Sequence, residues 1–253
     1  MKRVASLVAV VCLFGSIGSV EAQKRDTEIK GAGGVALKAT YYSPGKPGPA
    51  MLLFHQCNMD RHAWDSLADD LVKAGFHVLT FDLRGFGQDS KGVPPPPPPP
   101  PPSAAGRAGA NPVAVPMSPP LWGSDADAAL AHLLAQKDVD MARVAAGGAS
   151  CGVSLSAELA ARNRTIKALV LLSGEAGPAA KAYISSTPSL PVLGATAERD
   201  ESTAELRSAV AASKNPASTL KMYPGTEHGV AMFSKNPDLK PAIIKWLQTQ
   251  LRL

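Results

Sequence analysis

Cysteine is scarce: of three in the chain, only Cys57 and Cys151 lie beyond the first twenty residues. That is too few for a disulfide-stapled small fold, so the structure must rest on an apolar core. Aromatic residues make up only 5% of the chain. Charge of neither sign is concentrated, with 26 basic residues facing 21 acidic ones and no basic cluster interleaved with aromatics. This excludes the usual nucleic-acid face, and the small basic excess at most favours anionic partners. Spacings that ligate metals and glycine-rich loops that cradle phosphates are missing too, so the expectation is no cofactor and no metal.

Long apolar runs are confined to the first residues. Met1-Lys2-Arg3 precedes an apolar stretch over 4–20, and Val20-Glu21-Ala22 offers small or branched residues at cleavage offsets. The pattern is that of a secretory signal peptide cut after Ala22. A retained anchor fits less well, because Gly15, Ser16, Gly18 and Ser19 interrupt a stretch already marginal in length. Lipidation at Cys12 would want a small residue where Val11 stands. The expected product is one domain over 23–253, periplasmic or extracellular, with no stable membrane anchor. Lys2, Arg3 and Glu21 leave with the leader, so the net charge falls from +5 to +4. In an oxidising compartment the two remaining cysteines can bond.

Past a polar, loosely ordered stretch at 23–30, strands are predicted at 27–30 and 35–42, forming a hairpin around Gly31-Ala32-Gly33-Gly34. Apolar β runs then alternate with helical periodicity: strands at 50–55, 77–82, 143–149, 166–173, 190–195 and 219–223, helices at 63–74, 125–136, 153–162, 202–212 and 237–251. Such alternation implies a mostly parallel sheet covered on both faces, with the hairpin as an antiparallel edge. An interruption at 93–120 opens with nine consecutive prolines, Pro94 to Pro102. These cannot join a helix or ladder and predict an extended polyproline II insertion of about 28 Å. It leaves the sheet after the strand ending at Asp82, on the edge where α/β folds bind ligands, and could overhang such a site.

Gly148-Ala149-Ser150-Cys151-Gly152 lies between the strand at 143–149 and the helix at 153–162, the setting of a G-x-S-x-G nucleophile elbow. Glycine two positions either side lets the turn tighten until the serine hydroxyl projects and nearby N–H groups stay free for an oxyanion. A serine needs a base and an orienting acid. His228, in a loop directly after a strand, is the candidate base. Of its competitors, His77 and His132 suit packing or solvation on their elements, while His55 and His62 flank a separate loop, whose turn His55 suits shaping. Asp200, where a buried strand runs out into polar residues, is the candidate acid, with Glu175 as a second strand-end carboxylate. The order Ser150, Asp200, His228 is that of one class of serine hydrolase. The oxyanion donors are expected to be the backbone N–H of Cys151 and of Gln56 or Cys57, in the loop His55-Gln56-Cys57-Asn58.

With these features the chain resembles the α/β-hydrolase superfamily over nearly its whole length beyond the leader. Asp82-Leu83-Arg84-Gly85-Phe86-Gly87-Gln88-Asp89-Ser90 is similar to the family's D-x-R-G-x-G-x-S segment, with one extra residue. Asp138-Val139-Asp140-Met141-Ala142-Arg143-Val144 resembles the dienelactone-hydrolase-related branch. That branch often uses a cysteine nucleophile, but centring the elbow on Cys151 would put Ala149 and Val153 at the glycine positions, so Ser150 is expected. The family's lid is short here, occupying only 175–189, which implies an accessible site. The resemblance implies a secreted serine hydrolase of small-molecule carboxylic esters or related acyl compounds. Peptide or lactone hydrolysis on the same residues, or a non-catalytic binding protein on this fold, are the alternatives. Trp122, Tyr183, Met232 and Phe233 either line a pocket or pack. Cys57 and Cys151 should approach each other, either as a disulfide joining the two halves of the oxyanion hole or as two small thiols.

Overall fold

The computed structural model describes residues 22–87 and 121–253. Residues 1–21, within the expected signal peptide over 1–22, and residues 88–120, which include the end of the Asp82–Ser90 motif and the proline-rich insertion over 93–120, lie outside the described residues.

The described strands are β1 (Gln23–Lys30), β2 (Ala36–Ser43), β3 (Gly48–Phe54), β4 (His77–Phe81), β5 (Val139–Ala149), β6 (Ile166–Leu172), β7 (Val192–Ala197) and β8 (Thr219–Tyr223). They form an eight-stranded sheet in the order β1-β2-β4-β3-β5-β6-β7-β8. β1 and β2 run antiparallel, as do β2 and β4, and every later pairing is parallel. The helices are α1 (Asp65–Lys73), α2 (Trp122–Leu134), α3 (Cys151–Arg162), α4 (Pro178–Ser186), α5 (Thr203–Ala211), α6 (Met232–Lys235) and α7 (Leu239–Gln250). Among the described residues, no helix is long and apolar enough to cross a membrane.

Strand alternation sends successive side chains to opposite faces, and two cores result. Leu52 and Phe54 of β3 and Leu169 and Leu171 of β6 join one core with residues of α2 to α5, including Leu130, Leu159, Ile184 and Leu206. Met51, Leu53, Val170 and Leu172 join the other with Leu67 and Leu71 of α1, Met232 of α6 and Ile243 and Leu247 of α7. This is the α/β architecture expected from the alternating pattern.

One local expectation is corrected, and two helices stand where none was predicted. Residues 23–26 are not loose: β1 starts at Gln23, paired through to Ser43. Most of β1 is exposed, so its order comes from ladder hydrogen bonds that leave no apolar signature. The segment 175–189 is not all loop, because Pro178 opens α4, whose Ala180 and Ile184 are buried. Ahead of the last predicted helix, residues 232–235 form α6, with Met232 fully buried.

Candidate active site

Ser150 occupies the single-residue turn between β5 and α3, with φ 52° and ψ −121°. A non-glycine residue at positive φ is strained, and the surrounding structure must hold it there. The Ser150 N–H donates to the Leu172 carbonyl at 2.9 Å, and its own carbonyl accepts from Val153 N–H at 2.9 Å. Glycine at both flanks is a steric necessity. A Cβ on Gly148 would lie 1.9 Å from the Gly152 carbonyl oxygen, and one on Gly152 would lie 2.3 Å from the Phe54 oxygen. Gly174, which the sequence reading passed over, also walls the turn, since a Cβ there would come within 2.4 Å of the Ser150 oxygen. The half-buried Ser150 hydroxyl has no hydrogen-bond partner among the described residues.

Asp200 follows β7 and His228 follows β8, so both stand at carboxyl ends of parallel strands, as Ser150 does at the end of β5. His228 Nδ1 and Asp200 Oδ2 are 2.7 Å apart, with side-chain exposures of 32% and 1%. The second carboxylate oxygen accepts from the Ser202 N–H at 2.8 Å and the Ser202 hydroxyl at 2.6 Å. Burial pushes the Asp200 carboxyl up, but the Ser202 and His228 hydrogen bonds outweigh it and hold it below its ordinary value. An ionised Asp200 only accepts, so Nδ1 of His228 donates to it, and in the neutral tautomer this selects, Nε2 is the accepting nitrogen. The Ser150–His228 hydrogen bond is the one contact of the predicted set that is not formed. Such bonds are often long in substrate-free sites and tighten on binding. The histidine loop nonetheless packs on the elbow, with the Cβ position of Gly229 3.4 Å from the Ala149 Cβ.

The competing residues are placed elsewhere. Glu175 is exposed and has no partner among the described residues. The buried His55 accepts the Leu83 N–H on Nε2 at 2.9 Å, which puts its proton on Nδ1, bonded to the Gln56 carbonyl at 2.8 Å. It shapes the loop after β3, as the sequence suggested. His77 is buried between the Tyr41 hydroxyl and the Lys46 carbonyl. His62 lies on the surface beside Asp65, and His132 is half-buried on α2.

Across from the elbow, no described residue accepts the backbone N–H of Gln56, Cys57 or Cys151. Cys57 and Cys151 are joined by a disulfide, with Cα atoms 5.8 Å apart. Gln56 has a second use that its sequence position did not reveal. Its Oε1 accepts the Val230 N–H at 3.1 Å, and its Nε2 donates to Asn58 Oδ1 at 2.8 Å. The side chain therefore ties the loop after β3 to the loop carrying His228.

Of the four residues left between lining and packing, three pack. Trp122 is buried, donates to the Arg84 carbonyl and meets Phe86 edge-on, Met232 is fully buried, and Phe233 stands against Trp64. Tyr183 lines a cavity of about 250 Å³ with Arg164, Lys167 and Leu190. That cavity lies at the amino ends of β6 and β7, on the opposite edge of the sheet from Ser150. Among the described residues, no group of three His, Cys, Asp or Glu could hold a metal ion.

A family model of the α/β-hydrolase fold matches residues 49–230, a stretch that contains Ser150, Asp200 and His228. Similar solved structures include an α/β hydrolase from a Penicillium species, at 14% identity and TM-score 0.69, covering 91% of this chain and 100% of the other. A dienelactone hydrolase from Anabaena variabilis aligns at 20% identity and TM-score 0.65, covering 91% and 99%. An esterase from Pyrococcus furiosus aligns at 14% identity and TM-score 0.66, covering 91% and 93%. At these identities the likeness speaks for the fold. With the strand order, the glycine-flanked turn and the match over 49–230 all in agreement, this chain belongs to the α/β-hydrolase fold family.

Proposed function

We propose that the protein is an exported serine hydrolase acting on carboxylic esters or related acyl compounds. The observation that carries this reading is the strained, glycine-flanked Ser150 with an unengaged hydroxyl, at the same sheet edge as a His228–Asp200 pair 2.7 Å apart. His228 Nε2 takes the proton of Ser150 Oγ as that oxygen attacks the substrate carbonyl. The N–H groups of Cys151 and of Gln56 or Cys57 receive the developing oxyanion. His228 then passes its proton to the leaving alcohol, and a water repeats the sequence to free the acid and restore the serine. Asp200, held by Ser202, orients the imidazole and stabilises its charged form. The short segment between β6 and β7 is in keeping with a shallow site and small substrates. A disulfide beside the serine suits an oxidising compartment.

Labelling with a fluorophosphonate probe tests the assignment. The wild-type protein is expected to label at one site and Ser150→Ala to lose both labelling and esterase turnover. Full labelling or turnover in Ser150→Ala would overturn it. A panel of chromogenic esters, amides and lactones separates the substrate classes, and the highest kcat/KM is expected among the esters.

A further inference from the structure

The Cys57–Cys151 disulfide joins the two backbone segments assigned above as oxyanion donors. β3 and β5 are paired up to Phe54 and Gly148, and the ladder stops there. Beyond it, no backbone hydrogen bond among the described residues connects 55–58 with 149–153. What brings the two segments together is the bare approach of Gly152 to the Phe54 and His55 carbonyls and the disulfide itself, across 94 residues of sequence. The loop after β3 is anchored independently on its other sides. The His55 ring holds it to Leu83 and the Gln56 side chain holds it to Val230. Losing the disulfide would therefore leave the loop in place but free its spacing from the elbow.

We propose that this disulfide is a positioning device of the oxyanion hole, fixing the separation of the Cys57-side and Cys151 N–H groups so that opening it lowers kcat while leaving KM nearly unchanged. The proposal rests on Ser150 being the nucleophile. The physical ground is that donors aimed at a developing charge act only when held in place before the reaction, and a displacement near 1 Å is enough to lose much of their effect. Substrate binding in the ground state does not draw on that alignment, so the loss falls on turnover.

The test opens the bond in two ways. Dithiothreitol applied to the folded protein supplies two electrons and two protons, producing Cys57 and Cys151 thiols while the reagent closes to its own cyclic disulfide. The free-thiol count must rise by two per chain. The double variant Cys57→Ala/Cys151→Ala removes the bond without a reductant. Both forms are assayed well below their unfolding midpoints, with circular dichroism recorded in parallel. The expected result is a fall in kcat of about 10- to 100-fold with KM within about threefold, and recovery of the reduced wild type on reoxidation. A smaller fall overturns the proposal. So does a loss that merely tracks loss of the folded signal, because that assigns the bond to stability alone. Fluorophosphonate labelling separates the two readings. Wild type that labels at Ser150 yet keeps its kcat when reduced removes only the positioning role, whereas wild type that does not label there removes the nucleophile and this proposal with it.

Discussion

At the scale of single residues, Gly152 is held to glycine by the loop after β3, because the atoms a Cβ would meet there are backbone. The Phe54 oxygen would be 2.3 Å away and the His55 oxygen 2.9 Å away, and neither can rotate aside as a side chain could. Gly152→Ala is therefore expected to push the loop carrying Gln56 and Cys57 off the elbow. A stability loss of about 1–3 kcal/mol should accompany a fall in kcat/KM of about 100-fold, read from urea unfolding and ester turnover. Gly123 is the control: its nearest neighbour is the end of the Arg162 side chain at 3.4 Å. Gly123→Ala should change stability by no more than about 0.5 kcal/mol and leave turnover alone. The Gly148 requirement was legible in the sequence because it acts within five residues, against the Gly152 oxygen, whereas the demand on Gly152 comes from the distant loop after β3. Ser202, Gly174 and the second use of Gln56 were not legible, since each matters through an atom contributed by another part of the chain or by the turn it closes.

The Asp82 to Gly87 segment fastens several elements to the end of β4. Asp82 accepts the Arg61 N–H at 2.8 Å and Arg61 Nη1 at 2.7 Å, both partners being nearly buried. Arg84 forks onto Asp125 of α2 with two 2.8 Å contacts and also reaches the Ala32 carbonyl in the β1–β2 connection. The family-like motif thus serves architecture: it holds the turn before α1, the start of α2 and the hairpin in register. Arg61→Met leaves Asp82 as an unpaired buried charge and should cost about 3–5 kcal/mol in urea unfolding. Replacing both partners, as Arg61→Met/Asp82→Leu, should recover a large part of that loss, because the desolvated charge goes with its partner. A single variant that unfolds at the wild-type midpoint would show that the pair contributes little. Element types were legible wherever apolar periodicity existed. The first half of β1, α4 and α6 were missed: the exposed edge strand and the four-residue α6 carry too little of it, and α4 buries only Ala180 and Ile184.

For the molecule as a whole, the buried histidines set a pH dependence of stability. Burial lowers the pKa of His55 and of His77 below the ordinary 6.5. Asp82 and Asp60 around His55, and Asp138 near His77, pull the other way without reversing the direction. A lowered folded pKa means that the unfolded chain takes up the proton first as pH falls. Stability from these groups is therefore complete above 6.5 and declines as pH drops below it. For His55 the structural reason is visible, since protonating Nε2 removes the acceptor of the Leu83 N–H. Thermal midpoints measured from pH 8 down to pH 5 should fall below about 6.5, the unperturbed histidine value, and His55→Gln should flatten that fall. Equal slopes in the two proteins would show that His55 is not among the groups responsible.

Much of this protein was determined by short-range patterns in its sequence. Alternating apolar strands and helices specify a two-faced sheet, glycines two positions either side of Ser150 specify the turn, and Ser150, Asp200 and His228 each follow a strand, which carries them to one edge. Tertiary structure decided which of these residues meet. Asp200 rather than Glu175 reaches His228 because the loops after β7 and β8 are neighbours at the carboxyl edge of the sheet. Cys57 and Cys151 meet because the crossover sets β5 beside β3, bringing two loop positions 94 residues apart to a Cα separation of 5.8 Å. Side-chain periodicity is local and survives in one dimension, whereas strand order is settled by packing over the whole sheet, and the partners of the candidate site follow from that order.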